Sequence, residues 1–166
     1  MSAAEKKFPD PPKGKPQYLA LSQAVFNNMA IRLEQEIDDN TCGGGLRWQV
    51  LFTADGYGYK NTVSNSCFFQ LGARLARYTG NTTYAELGTK AYDWMREVEL
   101  ISDDYHVHDG ITVEPDCKTM DPNEWSYNVG MALAGAAYMY NHVCHFDPRT
   151  HSVIANTYPL ERGDWR

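Results

Sequence analysis

Two stretches of this sequence place amide and hydroxyl side chains directly ahead of an apolar helical pattern. Asn61, Ser64 and Asn65 precede Phe68 and Gly72 on one helical face, and Asn128 precedes Met131, Ala132 and Gly135 on another. A face that is polar in its first turn and apolar below reads as the wall of a pocket. The Asn amide carries both donors and an acceptor, which suits neutral, hydroxyl-rich ligands such as sugars. Helix capping is the competing reading, because Asn and Ser favour first turns. Arg47-Trp48 follows three glycines and would supply a stacking ring beside a charged donor, unless Trp48 packs beneath its loop. Asp109, between His108 and Gly110, could accept from a sugar hydroxyl or brace its own loop. Glycoside hydrolysis normally takes a carboxylate pair across the scissile bond. The adjacent acids Asp38-Asp39 and Asp103-Asp104 sit where helices end, and they read as exposed loop acids. His142, Cys144, His145 and His151 match no standard zinc spacing. Neither metal nor cofactor is expected.

The elements that must position these groups read as helical. Apolar residues recur at three- to four-residue spacing over 17–35, 61–78, 83–100 and 125–142, and residues 1–7 fit a helix end. In the 17–35 helix the stripe runs through Leu21, Val25, Met29 and Leu33, widened by Leu19, Phe26 and Ala30. Gly80 sits where a helix C-terminus takes a left-handed residue, and Thr83 with Glu86 has capping-box spacing. The segment 101–124 reads as an irregular loop. Past Cys144 the periodicity stops, so 1–144 is expected to be one helical domain and 145–166 an irregular tail. The predicted fold class is all-α, helical hairpins with long loops.

Composition narrows the partners. The chain has 166 residues, 21 acidic against 15 basic side chains and a net charge of −6, which disfavours nucleic acid and anionic membrane surfaces. The first residues lack the apolar run of a signal peptide, which taken literally implies a cytosolic chain. Four cysteines are too few to define a disulfide framework. Asn81-Thr82-Thr83 matches a glycosylation acceptor.

Six blocks occur in order: Cys42-Gly-Gly-Gly-Leu-Arg-Trp-Gln49, Tyr59-Lys-Asn-Thr-Val-Ser-Asn65, Leu71-Gly-Ala-Arg-Leu-Ala-Arg-Tyr-Thr-Gly-Asn81, Tyr92-Asp-Trp94, Val107-His-Asp-Gly110 and Glu124-Trp-Ser-Tyr-Asn128. Together they resemble glycoside hydrolase family 76, in particular the fungal cell-wall mannan endo-1,6-α-mannosidases. The resemblance implies an (α/α)6 barrel, here incomplete, and action on α-1,6-mannan by hydrolysis or transglycosylation. It also implies secretion to the cell wall or plasma-membrane surface, with a lipid anchor carried only by parts not seen in this sequence. A Cys42–Cys117 bridge and a glycan on Asn81 agree with that setting, while Cys67 would be an inert helical thiol. By the resemblance, Arg47, Trp48, Asn61, Asn65, Tyr127 and Asn128 would bind mannose units, and Lys60 and Asp109 would line or brace the cleft.

The family's catalytic Asp-Asp-Gln motif does not occur here. No catalytic residue is therefore assigned, and the chain as given is not expected to cleave mannan. An unclosed ring would expose the outer faces of the 17–35 and 125–142 helices, with aggregation or a molten state the expected outcome. Asn65 and Asn128 are expected to converge on one pocket with Arg47 or Trp48 at its rim. The second reading is a non-catalytic helical-hairpin protein that binds a partner through its grooves.

Overall fold

The computed structural model describes residues 1–115 and 117–146. Its elements, in chain order, are α1 (Ser2–Glu5), α2 (Tyr18–Asp38), β1 (Tyr59–Asn61), α3 (Thr62–Thr79), α4 (Thr83–Glu97), β2 (His108–Thr112), β3 (Thr119–Glu124) and α5 (Ser126–Phe146). The four long helices match the expected periodic segments. Residues 147–166, with His151 and most of the expected tail, lie outside the described residues, as do the side chains of His145 and Phe146.

The all-α expectation needs correction. Residues 59–61, 108–112 and 119–124 form a three-stranded antiparallel sheet in the order β1-β2-β3. The strands are short and carry Gly, Pro, Asp and Asn, so local propensity argues against them. They exist because the helices deliver three loops to one end of the molecule, where their backbones pair.

Helix α3 is the hub, packed against α2, α4 and α5. Phe26, Leu33, Leu46, Phe68, Leu75 and Ala91 fill the α2–α3–α4 side, with Phe26 and Phe68 stacked at 4.5 Å. Phe69, Ala73, Ala76, Ala85 and Met139 fill the α3–α4–α5 side. Trp94, Met95, Leu100, Val107, Ile111 and Ala132 pack beneath the sheet. On α2 the buried stripe is Ser22, Phe26, Ala30 and Leu33, rotated from the expected one, and Leu21 and Val25 are half exposed. The reason is Phe26, whose ring stacks on Phe68 and meets the Tyr84 ring edge-on, turning the helix about its axis. On α5, Val129, Leu133 and Tyr140 form an exposed lateral stripe beside the buried Asn128, Ala132 and Met139.

The helix ends follow local chemistry. Gly80 closes α3 in the left-handed region at φ 76°. The expected Thr83–Glu86 box is not formed; instead the exposed Asn81 Oδ1 accepts from the Thr83 amide at 3.1 Å. Helix α4 stops at Glu97 rather than Leu100, with Glu99 at φ 61°. Helix α1 docks through Glu5, whose carboxylate pairs with Arg74 at 2.6 Å and is held below its ordinary pKa by that guanidinium. Among the described residues, no helix is long and apolar enough to cross a membrane.

Because α3 and α5 both begin at the sheet, their N-terminal turns share one end of the molecule. Thr62 Oγ1 donates to the His108 carbonyl at 2.5 Å, and Asn128 reaches Asp109. A disulfide between Cys42 and Cys117, 75 residues apart, ties the loop after α2 to the loop between β2 and β3 at that end.

Candidate functional site

The sheet carries two clusters, and adjacent residues of β1 head them. Side chains alternate faces along a strand, so Tyr59 and Lys60 project to opposite sides.

On the Tyr59 side stands Asp109. Its carboxylate accepts from Tyr59 Oη at 2.8 Å, Asn128 Nδ2 at 3.0 Å and Tyr127 Oη at 3.4 Å. The strand pairing explains its position. His108 pairs with Glu124 and Gly110 with Asp121, so Asp109 alone faces both Pro122 and Asn123. An extra residue on one strand re-aims nearby side chains. Gly110 is required because a Cβ there would lie 2.6 Å from both the Lys60 carbonyl oxygen and the Tyr59 ring, which crosses the strand at that point. Burial, reinforced by the bond to Asp109, pushes the Tyr59 phenol well above its ordinary pKa, so it stays a donor. Partial desolvation against the sheet, with Asp109 adding to it, also raises the Tyr127 phenol. Beside the carboxylate, Trp125 and Tyr127 lie parallel at 6.3 Å, both about half exposed. Two exposed rings next to an oriented carboxylate can stack the C–H face of a pyranose and accept from its hydroxyls. His106 lies along the same edge, its Nδ1 2.8 Å from Glu124 Oε1 and its Nε2 3.6 Å from Asp104. The Glu124 hydrogen bond and charge raise the His106 pKa, with Asp104 adding to it.

On the Lys60 side the arrangement is closed. Lys60 is fully buried, its ammonium donating to the Thr41 and Gly44 carbonyls at 2.6 and 2.5 Å and pairing with Glu36 at 2.9 Å. Its burial lowers its pKa, and the Glu36 hydrogen bond opposes that. Arg47 Nε holds the other Glu36 oxygen at 2.6 Å, Arg47 Nη1 donates to the Tyr57 carbonyl at 3.1 Å, and the guanidinium lies over the Tyr57 ring. Gly45, at φ 76°, presses on the Trp94 ring, where a Cβ would come within 2.4 Å. The glycine run lets the loop lie flat on that indole, and Lys60 pins it there.

The eight expected binding residues therefore divide. Asp109, Tyr127 and Asn128 come together. Arg47 and Lys60 belong to the opposite cluster. Asn65 is fully buried and latches Leu46, accepting from its amide at 2.8 Å and donating to its carbonyl at 3.2 Å and to the Asn61 carbonyl at 2.9 Å. Asn61 is buried and caps α3, accepting from the Ser64 amide at 3.3 Å. The pocket wall read at the N-terminus of α3 is thus a cap and a latch, because β1 and the glycine loop cover that turn. The N-terminal turns of α3 and α5 share one end as expected, but Asn65 turns to Leu46 instead of converging with Asn128 beside Arg47 or Trp48. Trp48 is half exposed with Gly56 against its ring. Of the paired acids, Asp103 braces its loop by pairing with Arg96 at 2.7 Å, and Asp38 and Asp39 are exposed.

Three residues escaped the sequence reading. Tyr59 and Trp125 fall inside quoted blocks beside chosen residues, and an aromatic next to a site candidate was the available signal. Glu36 sits on the polar side of α2 with nothing local to mark it.

This arrangement can be set against known proteins. The sequence profile described as Glycosyl hydrolase family 76 matches residues 1–157. The chain belongs to glycosyl hydrolase family 76. It is similar to mannan endo-1,6-alpha-mannosidase DCW1 of Candida glabrata, 51% identical over 158 residues that cover 93% of this chain and 34% of the relative. The Saccharomyces cerevisiae protein of the same name is 50% identical over 143 residues, covering 85% and 31%. The crystal structure of Dfg5 from Chaetomium thermophilum in complex with glucosamine superimposes with a TM-score of 0.81 at 48% identity, covering 93% of this chain and 37% of that one. The chain spans about a third of the length of the curated relatives it matches.

Proposed function

We propose that this chain is the part of a mannan endo-1,6-α-mannosidase or transglycosylase that holds the glycan, and that the edge built on Asp109 is where it does so. The observation that carries the reading is the Asp109 carboxylate, fixed by Tyr59 and Asn128 beside the parallel rings of Trp125 and Tyr127. About half identity to named mannan endo-1,6-alpha-mannosidases supports the substrate class, and a structural relative crystallised with glucosamine supports a sugar site in this fold. Asp109 accepts from sugar hydroxyls, Tyr127 and Trp125 stack the ring, and Asn128 and Tyr59 hold Asp109 in place. The carboxylate pair that performs acid–base and nucleophilic chemistry in glycoside hydrolysis comes from outside these residues. Arg47, Lys60, Asn61 and Asn65 shape the loops around the edge, and Trp48 stands exposed on the loop they hold.

The fold we propose for the whole protein is an (α/α)6 barrel, of which α3 and α5 are neighbouring inner helices. Their mutual packing, the start of both at the sheet, the return of α4 against α3 after Gly80 and the exposed stripe Val129, Leu133 and Tyr140 support it. The Cys42–Cys117 disulfide and the exposed Asn81 acceptor support an oxidising, extracellular setting at the cell wall or membrane surface. The test is a titration of the full-length protein with α-1,6-linked mannotriose, alongside hydrolysis or transfer assays on α-1,6-mannan. Asp109→Asn and Trp125→Ala are expected each to weaken binding about tenfold. Full-length protein that neither binds nor processes α-1,6-mannose chains overturns the reading.

A further inference from the structure

A groove of about 310 Å³ runs between α2 and the 47–57 loop, just inside the roughly 300–1,000 Å³ range of small-molecule sites. It opens on the Arg47 side of β1, not on the Asp109 edge. Asn28, Arg32 and Gln35 recur at i, i+4 and i+7 on α2 and so share one helical face. Arg47, Gln49 and Tyr57 line the loop side, and Ile31 and Val50, both exposed, add apolar surface.

Hydrogen bonds tie the two walls of the groove together. Arg32 Nη2 donates to the Arg47 carbonyl at 3.1 Å and reaches the Gln49 carbonyl at 3.5 Å, fixing the loop to the helix. Arg47 is fixed in turn by Glu36 and the Tyr57 carbonyl. Arg32 keeps its Nε and Nη1 free of protein partners among the described residues, and the amides of Asn28, Gln35 and Gln49 are likewise unspent. The charge is also distinctive. Two arginines and one glutamate line the groove, and that glutamate is shared with the buried Lys60. The groove is therefore positive in a chain whose net charge is −6.

We propose that this groove is a second saccharide site, separate from the Asp109 edge, and that it takes an anionic sugar, one bearing a phosphate or a carboxylate. Arg32 and Arg47 supply charge-assisted donors for the anionic oxygens. The three free amides supply donors and acceptors for ring hydroxyls. Ile31 and Val50 pack against the C–H face. Since the polar network already holds the walls, little ordering accompanies binding.

The experiment is calorimetric titration of the full-length protein with mannose 6-phosphate, glucuronic acid, mannose and inorganic phosphate. A sugar phosphate or a uronic acid is expected to bind one site, more weakly as salt rises, and the stronger of the two identifies the anionic group. Arg32→Gln is expected to weaken it at least about tenfold. Asn28→Ala with Gln35→Ala, which removes two exposed amides without protein partners, is expected to weaken it severalfold with the loop intact. Asp109→Asn is expected to leave it unchanged, and neutral mannose not to displace it. No binding by either anionic sugar overturns the proposal, as does binding indifferent to both groove variants. Inorganic phosphate binding as tightly as the sugar phosphate overturns the saccharide site and leaves an adventitious ion only. None of these outcomes depends on α-1,6-mannan, so failure here and failure of the Asp109 reading are separable.

Discussion

Tyr59 and Lys60 are neighbours in sequence and opposites in environment. Tyr59 reaches outward to a half-buried carboxylate flanked by aromatic rings, and Lys60 reaches inward to two carbonyls and a carboxylate that it shares with Arg47. Both clusters mix charged, aromatic and amide groups, so composition does not separate them. What separates them is accessibility. On the Tyr59 side the donors and acceptors converge where a ligand can arrive. On the Lys60 side they converge where the chain itself must be held. A buried charged network serves as scaffold, and its half-exposed counterpart is available for recognition.

The largest expected effect breaks the inner cluster. Lys60→Met leaves two buried carbonyls without their donor and Glu36 with one partner fewer. Removing one member of a buried ion pair costs about 3–5 kcal/mol, measurable as a lowered denaturant midpoint of the full-length protein. A loss under about 1 kcal/mol would mean that the glycine loop holds without its pin. Next is the covalent tie between the two loop systems. Cys42→Ser with Cys117→Ser removes a link closing 75 residues and is expected to cost about 2–4 kcal/mol, read in the same way. Asn65→Ala strips Leu46 of both backbone partners and should cost about 1–3 kcal/mol per buried group left unsatisfied. If Asn65 were instead a ligand contact, sugar affinity would fall while stability stayed constant.

The outer cluster should respond in the reverse sense. Asp109→Asn keeps shape and loses charge, and α-1,6-mannotriose binding is expected to weaken about tenfold with a stability change under about 1 kcal/mol. A large stability loss with unchanged affinity would make Asp109 another brace and erase the contrast. The smallest effect is at His106. Its pKa is raised in the folded state by Glu124 and Asp104, so its contribution is fully present below the unfolded value and is lost as pH rises through the folded value. Thermal melts of wild type and His106→Gln should therefore differ more near pH 5 than near pH 8. A constant difference would show that the imidazole pairing carries no charge.

Much of this was legible in the residues, and the boundary is physical. The four long helices announced themselves because a 3.6-residue apolar period is a local property. Gly80 as the stop of α3 was equally local. The sheet was hidden, because His108–Thr112 and Thr119–Glu124 pair only after α3, α4 and α5 bring them together. For the site, Asp109, Tyr127 and Asn128 were marked by chemical type, and the structure brings all three together. Asn61 and Asn65 had the same marks and proved to be a cap and a latch. An amide looks the same in sequence whether its partner is a sugar or Leu46.

By itself, then, the order of residues determined the four long helices, the Gly80 stop of α3 and a set of groups able to meet a sugar. Ordered blocks tied that set to one family. Only the tertiary structure decided which groups face solvent. Burial depends on what other elements place overhead, and no local spacing records that. The alternation of a three-residue strand put Tyr59 on one side and Lys60 on the other, and Gly110 left room for a ring to cross. That packing leaves Asp109 within reach of a ligand and encloses Lys60 completely.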